Sequence, residues 1–164
     1  MFYEDVFRAL NKGKVRYAVA GGVAVVLHGY IRFTADLDLI IHLEEKNIDK
    51  FFNVLSKLGY KPKLPISKEQ FTNKQNREDW IKHKGMVVFS FYQRENPLKN
   101  IDLFVKEPIQ FKIIQKNIKM VKAENLSIPL LSLKHLIQIK KKVNRERDII
   151  DITNLEKIHG LIKQ

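Results

Sequence analysis

Cysteine is absent from the 164 residues, which excludes disulfides and thiolate metal sites and fits a reducing, cytoplasmic setting. Any bound metal must therefore sit on oxygen or imidazole. No apolar run is long enough for a bilayer. The longest, Ala18 to Ile31, is interrupted by Gly21, Gly22, Gly29 and His28, so a soluble protein with no membrane partner is expected. The start, Met1-Phe2-Tyr3-Glu4-Asp5, lacks the basic stretch and following apolar run of a secretion signal. Internal repeats, low-complexity tracts and long linkers are also lacking. Acidic residues are scarce: 18 against 30 Lys and Arg give a net charge of +12 and a pI near 9.8, an electropositive balance that attracts polyanions, nucleic acid first among them. Lysine scattered over solvated faces is the plainer account of that charge. The densest run is Lys140-Lys141-Lys142 with Arg145 and Arg147.

What is present suffices for one core. At 45% apolar content the chain supports one compact domain. Val15 to Ala20 reads as a strand feeding Gly21-Gly22, and Val23 to Leu27 as a short helix stopping near His28-Gly29. Arg32 to Ile41 reads as a second strand. Ile48, Phe51, Phe52, Leu55 and Leu58 fall at helical spacing, with Gly59 as the stop. Lys61 to Asn76, polar and without a period, is the expected mobile loop. Met86 to Tyr92 and Ile101 to Val105 form a hairpin pattern. Two short extended segments flank Glu124-Asn125, Ser132 caps a helix from Leu133, and a last helix covers about Arg145 to Leu161. This order predicts an α/β (α+β) fold: a mixed sheet flanked by helices, with residues 1–125 as the core and 126–164 as a C-terminal helical cap on the same domain.

Asp36 and Asp38 carry the strongest chemical signal. Two residues apart on a strand, they project from one face at roughly 6.5–7 Å while Leu37, Leu39 and Ile41 line the other. Two acids on one face repel unless a cation joins them, and a hard divalent ion takes carboxylate oxygens and phosphate together. Upstream, Gly21-Gly22 at a strand-to-helix junction allows a phosphate to approach backbone N–H groups. By itself that pair is no more than a tight turn; with the acids downstream it reads as a triphosphate cradle beside a metal site. Asp102, embedded in the apolar strand Asn100 to Val105, is the candidate third carboxylate, the alternative being a salt bridge to a neighbouring cation. Leu133, Leu136 and Ile137 define a stripe that continues to Lys140 and Lys141. Lys140 then either reaches nucleotide phosphates or forms an ion pair with Asp148 between two helices. His28 reads as a hydrogen-bonded packing residue and Trp80 as a packing anchor.

Gly21-Gly22-Val23-Ala24, His28-Gly29, Arg32-Phe33-Thr34-Ala35-Asp36-Leu37-Asp38 and Ile101-Asp102-Leu103-Phe104 together resemble the nucleotidyltransferase superfamily, whose fold is like the palm of DNA polymerase beta. Within it the chain is similar to small stand-alone members and to the AbiE-type abortive-infection toxins. The family's downstream Lys and Arg-x-Lys-Asp segment correspond to Lys140 and Arg145-Glu146-Arg147-Asp148, with Arg147 in place of Lys and Asp151 following.

The resemblance implies an enzyme that moves a nucleoside monophosphate from an NTP, ATP for instance, to an acceptor hydroxyl and releases pyrophosphate. Asp36, Asp38 and Asp102 are then catalytic and hold two Mg²⁺ ions. Gly21, Gly22, Arg32, Thr34 and Lys140 contact the nucleotide, and Arg32 either touches phosphate or orients an aspartate. RNA, tRNA ends included, is the implied acceptor, met by Lys141, Lys142, Arg145 and Arg147. An antibiotic or protein hydroxyl stays open as acceptor. A catalytically silent nucleotide- or RNA-binding module, or a toxin–antitoxin component with a cognate antitoxin protein, stays open as an alternative function.

Overall fold

A computed structural model describes residues 2–161, so Met1 and residues 162–164 of the two expected segments lie outside it. Its first element is a helix that the reading above does not contain. In α1 (Glu4–Lys12) Val6, Phe7 and Leu10 lie on one buried face, with Glu4 and Asp5 in the first turn and Lys12 in the last, as the helix dipole favours. After it come β1 (Tyr17–Val19), α2 (Gly21–Leu27), β2 (Leu37–Ile41), α3 (Glu45–Lys57) and β3 (Tyr60–Pro62). Helices α4 (Lys68–Thr72) and α5 (Lys74–Lys84) lead to β4 (Val88–Gln93) and β5 (Asn100–Phe104). The chain ends in α6 (Phe111–Lys116), β6 (Lys119–Ala123), β7 (Leu126–Leu130), α7 (Leu133–Val143) and α8 (Glu146–Ile158).

Seven strands form one mixed sheet in the order β3-β4-β5-β2-β1-β7-β6. The expected hairpin is there, β4 with β5, and the two extended segments about Glu124-Asn125 pair as a second one, β6 with β7, turning through Glu124 at φ +53°. The boundary expected after residue 125 falls within the β6–β7 turn, and β7 pairs in parallel with β1 of the same sheet. Central pairing is what positions the site. β2 runs antiparallel to β1 and parallel to β5, in a register that sets Asp38 beside Asp102. Along β5, Ile101 and Leu103 are buried while Asn100, Asp102 and Phe104 are partly exposed, so the period of two assigns Asp102 to the open face. No helix among the described residues is long and apolar enough to cross a membrane.

Two expectations are corrected. The second strand begins at Leu37, not Arg32: residues 31–35 have no regular structure, because Arg32 turns away to pair with Asp151 and Tyr3 hydrogen-bonds the Ala35 carbonyl at 2.6 Å. Residues 61–76 are not a mobile loop. Ser67 and Gln70 form a reciprocal capping box at the start of α4, and the Asn73 side chain caps α5 by accepting from the N–H groups of Gln75 and Asn76. Phe71 then drives α4 into an aromatic cluster with Phe52, Phe89 and Trp80, and buried Arg77 donates to the Phe71 and Thr72 carbonyls at 2.6 and 2.8 Å.

Phe71 is fully buried, so Phe71→Ala leaves a cavity among these rings. A loss of about 3–5 kcal/mol is expected for such a truncation, read as a lower urea midpoint at unchanged slope. An effect below about 0.5 kcal/mol, ordinary for surface positions, would mean that the α4–α5 segment is not anchored.

Candidate active site

A cleft of about 290 Å³ opens where the start of α2, β2, β5, α7 and the α7–α8 connection converge. Its lining includes Gly21, Gly22, Arg32, Thr34, Asp36, Asp38, Asp102, Lys140, Arg145 and Arg147. Ten of the twelve candidate positions are thus brought together. Lys141 and Lys142 are not among them: both are exposed, and Lys141 pairs with Glu156 at 3.4 Å. The lysine run is therefore split, Lys140 turning inward and its neighbours outward.

The glycines have a steric reason beyond the turn. Gly21 adopts φ +57°, and a Cβ there would overlap the Asp38 carboxylate; one on Gly22 would overlap Thr34 Oγ1. The start of α2 is thereby seated directly on the acid-bearing strand, and the Gly22 N–H donates to Asp38 Oδ2 at 3.4 Å. Asp102 is fixed from its other side by Ser90 on β4, which stands opposite it in register and donates to Oδ1 at 2.6 Å. Tyr3 lies within hydrogen-bonding reach of the carbonyls of Ala35 and Asn100, at 2.6 and 2.8 Å, and so ties together the segments that lead into Asp36 and Asp102. Ser90 and Tyr3 carried no motif, and only the strand register reveals the former.

Electrostatically the cleft has two walls. On one, Asp38 is pushed up to about 6, by burial first and then by the charge of Asp102, while the Gly22 N–H works the other way. Asp36 stands at the exposed end of this wall. Among the described residues no three acidic or histidine side chains stand as a ready-made metal-binding cluster. The other wall is a chain of ion pairs. Lys140 Nζ meets Asp148 Oδ1 at 3.0 Å and Asp151 Oδ2 at 2.7 Å, Arg32 grips Asp151 through Nε and Nη2 at 2.8 and 3.0 Å, and Arg145 Nε meets Asp148 at 2.9 Å. Asp148 is held below the ordinary carboxylate range: burial opposes this, and hydrogen bonds from Arg145 and Lys140 outweigh it. The ion pair considered for Lys140 thus exists and extends to a second acid, and the aspartate that Arg32 engages is Asp151. His28 is a packing residue, buried, with Nε2 bonded to the Leu131 carbonyl at 2.9 Å; Trp80 packs on Phe71.

The architecture is that of nucleotidyltransferases. The structure is similar to the lincosamide antibiotic adenylyltransferase LnuA in its lincomycin-bound form, at TM-score 0.61 and 18% identity over 93% of both chains. A Thermotoga maritima protein assigned as a nucleotidyltransferase matches at TM-score 0.58 and 14% identity, over 98% of this chain and 91% of that one. An antigenic nucleotidyltransferase-like protein of Paracoccidioides brasiliensis matches at 0.58 and 16% identity, over 93% and 72%. No curated protein sequence matches significantly. Residues 3–155 match the family model for aminoglycoside-2''-adenylyltransferase, and the chain belongs to that family. It is a nucleotidyltransferase enzyme.

Asp38 tests the acidic wall. A carboxyl raised to about 6 when folded, against about 3.8 unfolded, binds more protons folded than unfolded between those values, so it lowers stability as pH rises from about 4 to 6. In EDTA, Asp38→Asn should melt above the wild type at pH 7, and the gap should close by about pH 4. A variant that is less stable at pH 7 would show that Asp38 carries no such penalty.

Proposed function

We propose that the protein transfers a nucleoside monophosphate, AMP first among the candidates, from a Mg²⁺-bound NTP to a hydroxyl of a small polar molecule of the antibiotic kind. The observation that carries the reading is the in-register pairing of Asp38 and Asp102 on adjacent parallel strands, with the side-chain-free start of α2 on one flank and a cationic wall opposite. The donor set suits a hard divalent ion: oxygen only, with Asp38 raised by burial and a like charge, an imbalance that a cation relieves. Asp36 and Asp38 would hold Mg²⁺ and Asp102 would complete its coordination, two ions being the number that the superfamily resemblance implies. When bound there, Mg²⁺ supplies Lewis acidity toward the acceptor hydroxyl and neutralises triphosphate charge.

This chain's own residues do the rest. Gly21 and Gly22 leave the backbone open to the triphosphate, and Thr34 beside Gly22 adds a hydroxyl. Arg32, Lys140 and Arg145 face the phosphates from the opposite wall and stabilise charge as it builds on the leaving pyrophosphate. Ser90 holds Asp102 by one oxygen and leaves the other for the reacting groups. The acceptor hydroxyl attacks the α-phosphorus, the bond to the β-phosphate oxygen breaks, and the hydroxyl proton passes to a carboxylate of the acidic wall.

A small acceptor is favoured by the family, by the likeness to the lincosamide antibiotic adenylyltransferase LnuA, and by the orientation of Lys141 and Lys142 away from the cleft. The net charge of +12 favours a second reading in which RNA is the acceptor, with a cognate antitoxin as partner. Incubation with α-labelled ATP, Mg²⁺ and either an aminoglycoside and lincosamide panel or total RNA separates them. Label on a small molecule is expected. Label on RNA alone would overturn the small-acceptor reading, and no transfer from any NTP would overturn the function. If RNA is labelled, Lys141→Ala with Lys142→Ala should lower the log–log salt slope of binding by roughly 0.7–0.9 per lost phosphate contact.

A further inference from the structure

Asp151 follows the Arg145-Glu146-Arg147-Asp148 segment in the resemblance pattern without a role attached to it, and it does not line the cleft. It is fully buried on α8, yet both its oxygens are committed to side chains that do line the cleft. Oδ1 accepts from Arg32 Nε at 2.8 Å, and Oδ2 accepts from Arg32 Nη2 at 3.0 Å and from Lys140 Nζ at 2.7 Å. One carboxylate thus stands behind two cations that come from a loop and a helix more than a hundred residues apart.

A buried ion-pair network is often no more stable than an apolar replacement, so one built against a cleft has its use in the direction it gives its members. Here Arg32 and Lys140 balance the two buried acids, Asp148 and Asp151, and Arg145, whose side chain is exposed, adds a third cation to the cleft lining. All three cations line the cleft, where the phosphates of a nucleotide would meet them. Arg32 also depends on Asp151 for its direction. Among the described residues its only other side-chain hydrogen bond is to its neighbour's carbonyl, Phe33 O, and residues 31–35 have no ladder to hold them.

We propose that Asp151 is the positioning residue of a triphosphate clamp: it touches no substrate, and by sharing one carboxylate between Arg32 and Lys140 it sets both cations toward the phosphates before the nucleotide arrives. The proposal rests on the nucleotide-binding reading above. The fork is specific to this task, since two parallel N–H donors fix a guanidinium plane where a lysine ammonium is held only as a point charge.

The test is Mg·ATP affinity by calorimetry, with melting temperature measured in parallel. Asp151→Asn should weaken ATP binding about 10–100-fold, the range for loss of an orienting partner, and Asp151→Glu should recover part of it. Arg32→Lys keeps the charge but cannot form the fork, and should weaken binding in the same direction; it decides the matter if Asp151→Asn does not fold. A lowered melting temperature with unchanged ATP affinity in the folded variants would make Asp151 merely structural and overturn the proposal, while wild-type binding left the functional reading standing. A wild type that binds none of the four NTPs with Mg²⁺ would overturn both.

Discussion

Placing Asp38 beside Asp102 on neighbouring strands brings like charges together in a partly buried setting, and much of the surrounding structure serves that unfavourable arrangement. The raised position of Asp38 is its direct signature. Three supports hold the pair in place: parallel β2–β5 register, the glycine start of α2 pressed onto Asp38, and the Ser90 hydroxyl on Asp102. Each acts by geometry and leaves the repulsion itself unrelieved, which is the condition for a site that draws a cation.

The opposite wall solves the converse problem. Lys140 is buried, and a lone ammonium there would lose several kcal/mol of hydration. Asp148 and Asp151 restore that loss, and the short α7–α8 connection makes this possible. Asn144, in the left-handed conformation at φ +56°, turns the chain so that Arg145 closes the start of α8 and Asp148 points back at Lys140. The cleft is bounded by an acid-rich sheet and a cation-rich helix pair, and α2 packs against both β2 and α7.

Much of this was legible from local patterns. The period of two that turns Asp38 to the open face, the glycine pair, the helical spacing of α3 and the serine cap of α7 each depend on residues within a few positions of one another, and each is found, whereas Asp36 lies one residue before β2. What escaped the reading depended on partners far away in sequence. Arg32 was placed on a strand because nothing near it shows the buried acid 119 residues later that pulls it aside. The capping box at Ser67 and Gln70 is a local signal, present but passed over, because two prolines and a polar composition masked Phe71. Ser90 has no signal apart from its register opposite Asp102, and α1 was overlooked although Val6, Phe7 and Leu10 carry its period.

The span of the Arg32–Asp151 pair also bears on how the protein comes into being. Arg32 and the acid it grips are separated by most of the polypeptide, so on the ribosome the loop, β2 and β5 emerge well before that counter-charge exists. At about 5–20 residues per second, the interval between synthesis of Arg32 and of Asp151 is several seconds or more. During that interval the glycine turn and the carboxylate strand can form their sheet, but the cationic wall cannot close over them. Until α8 is made, Arg32 and Lys140 therefore lack the shared carboxylate that holds them in the finished cleft.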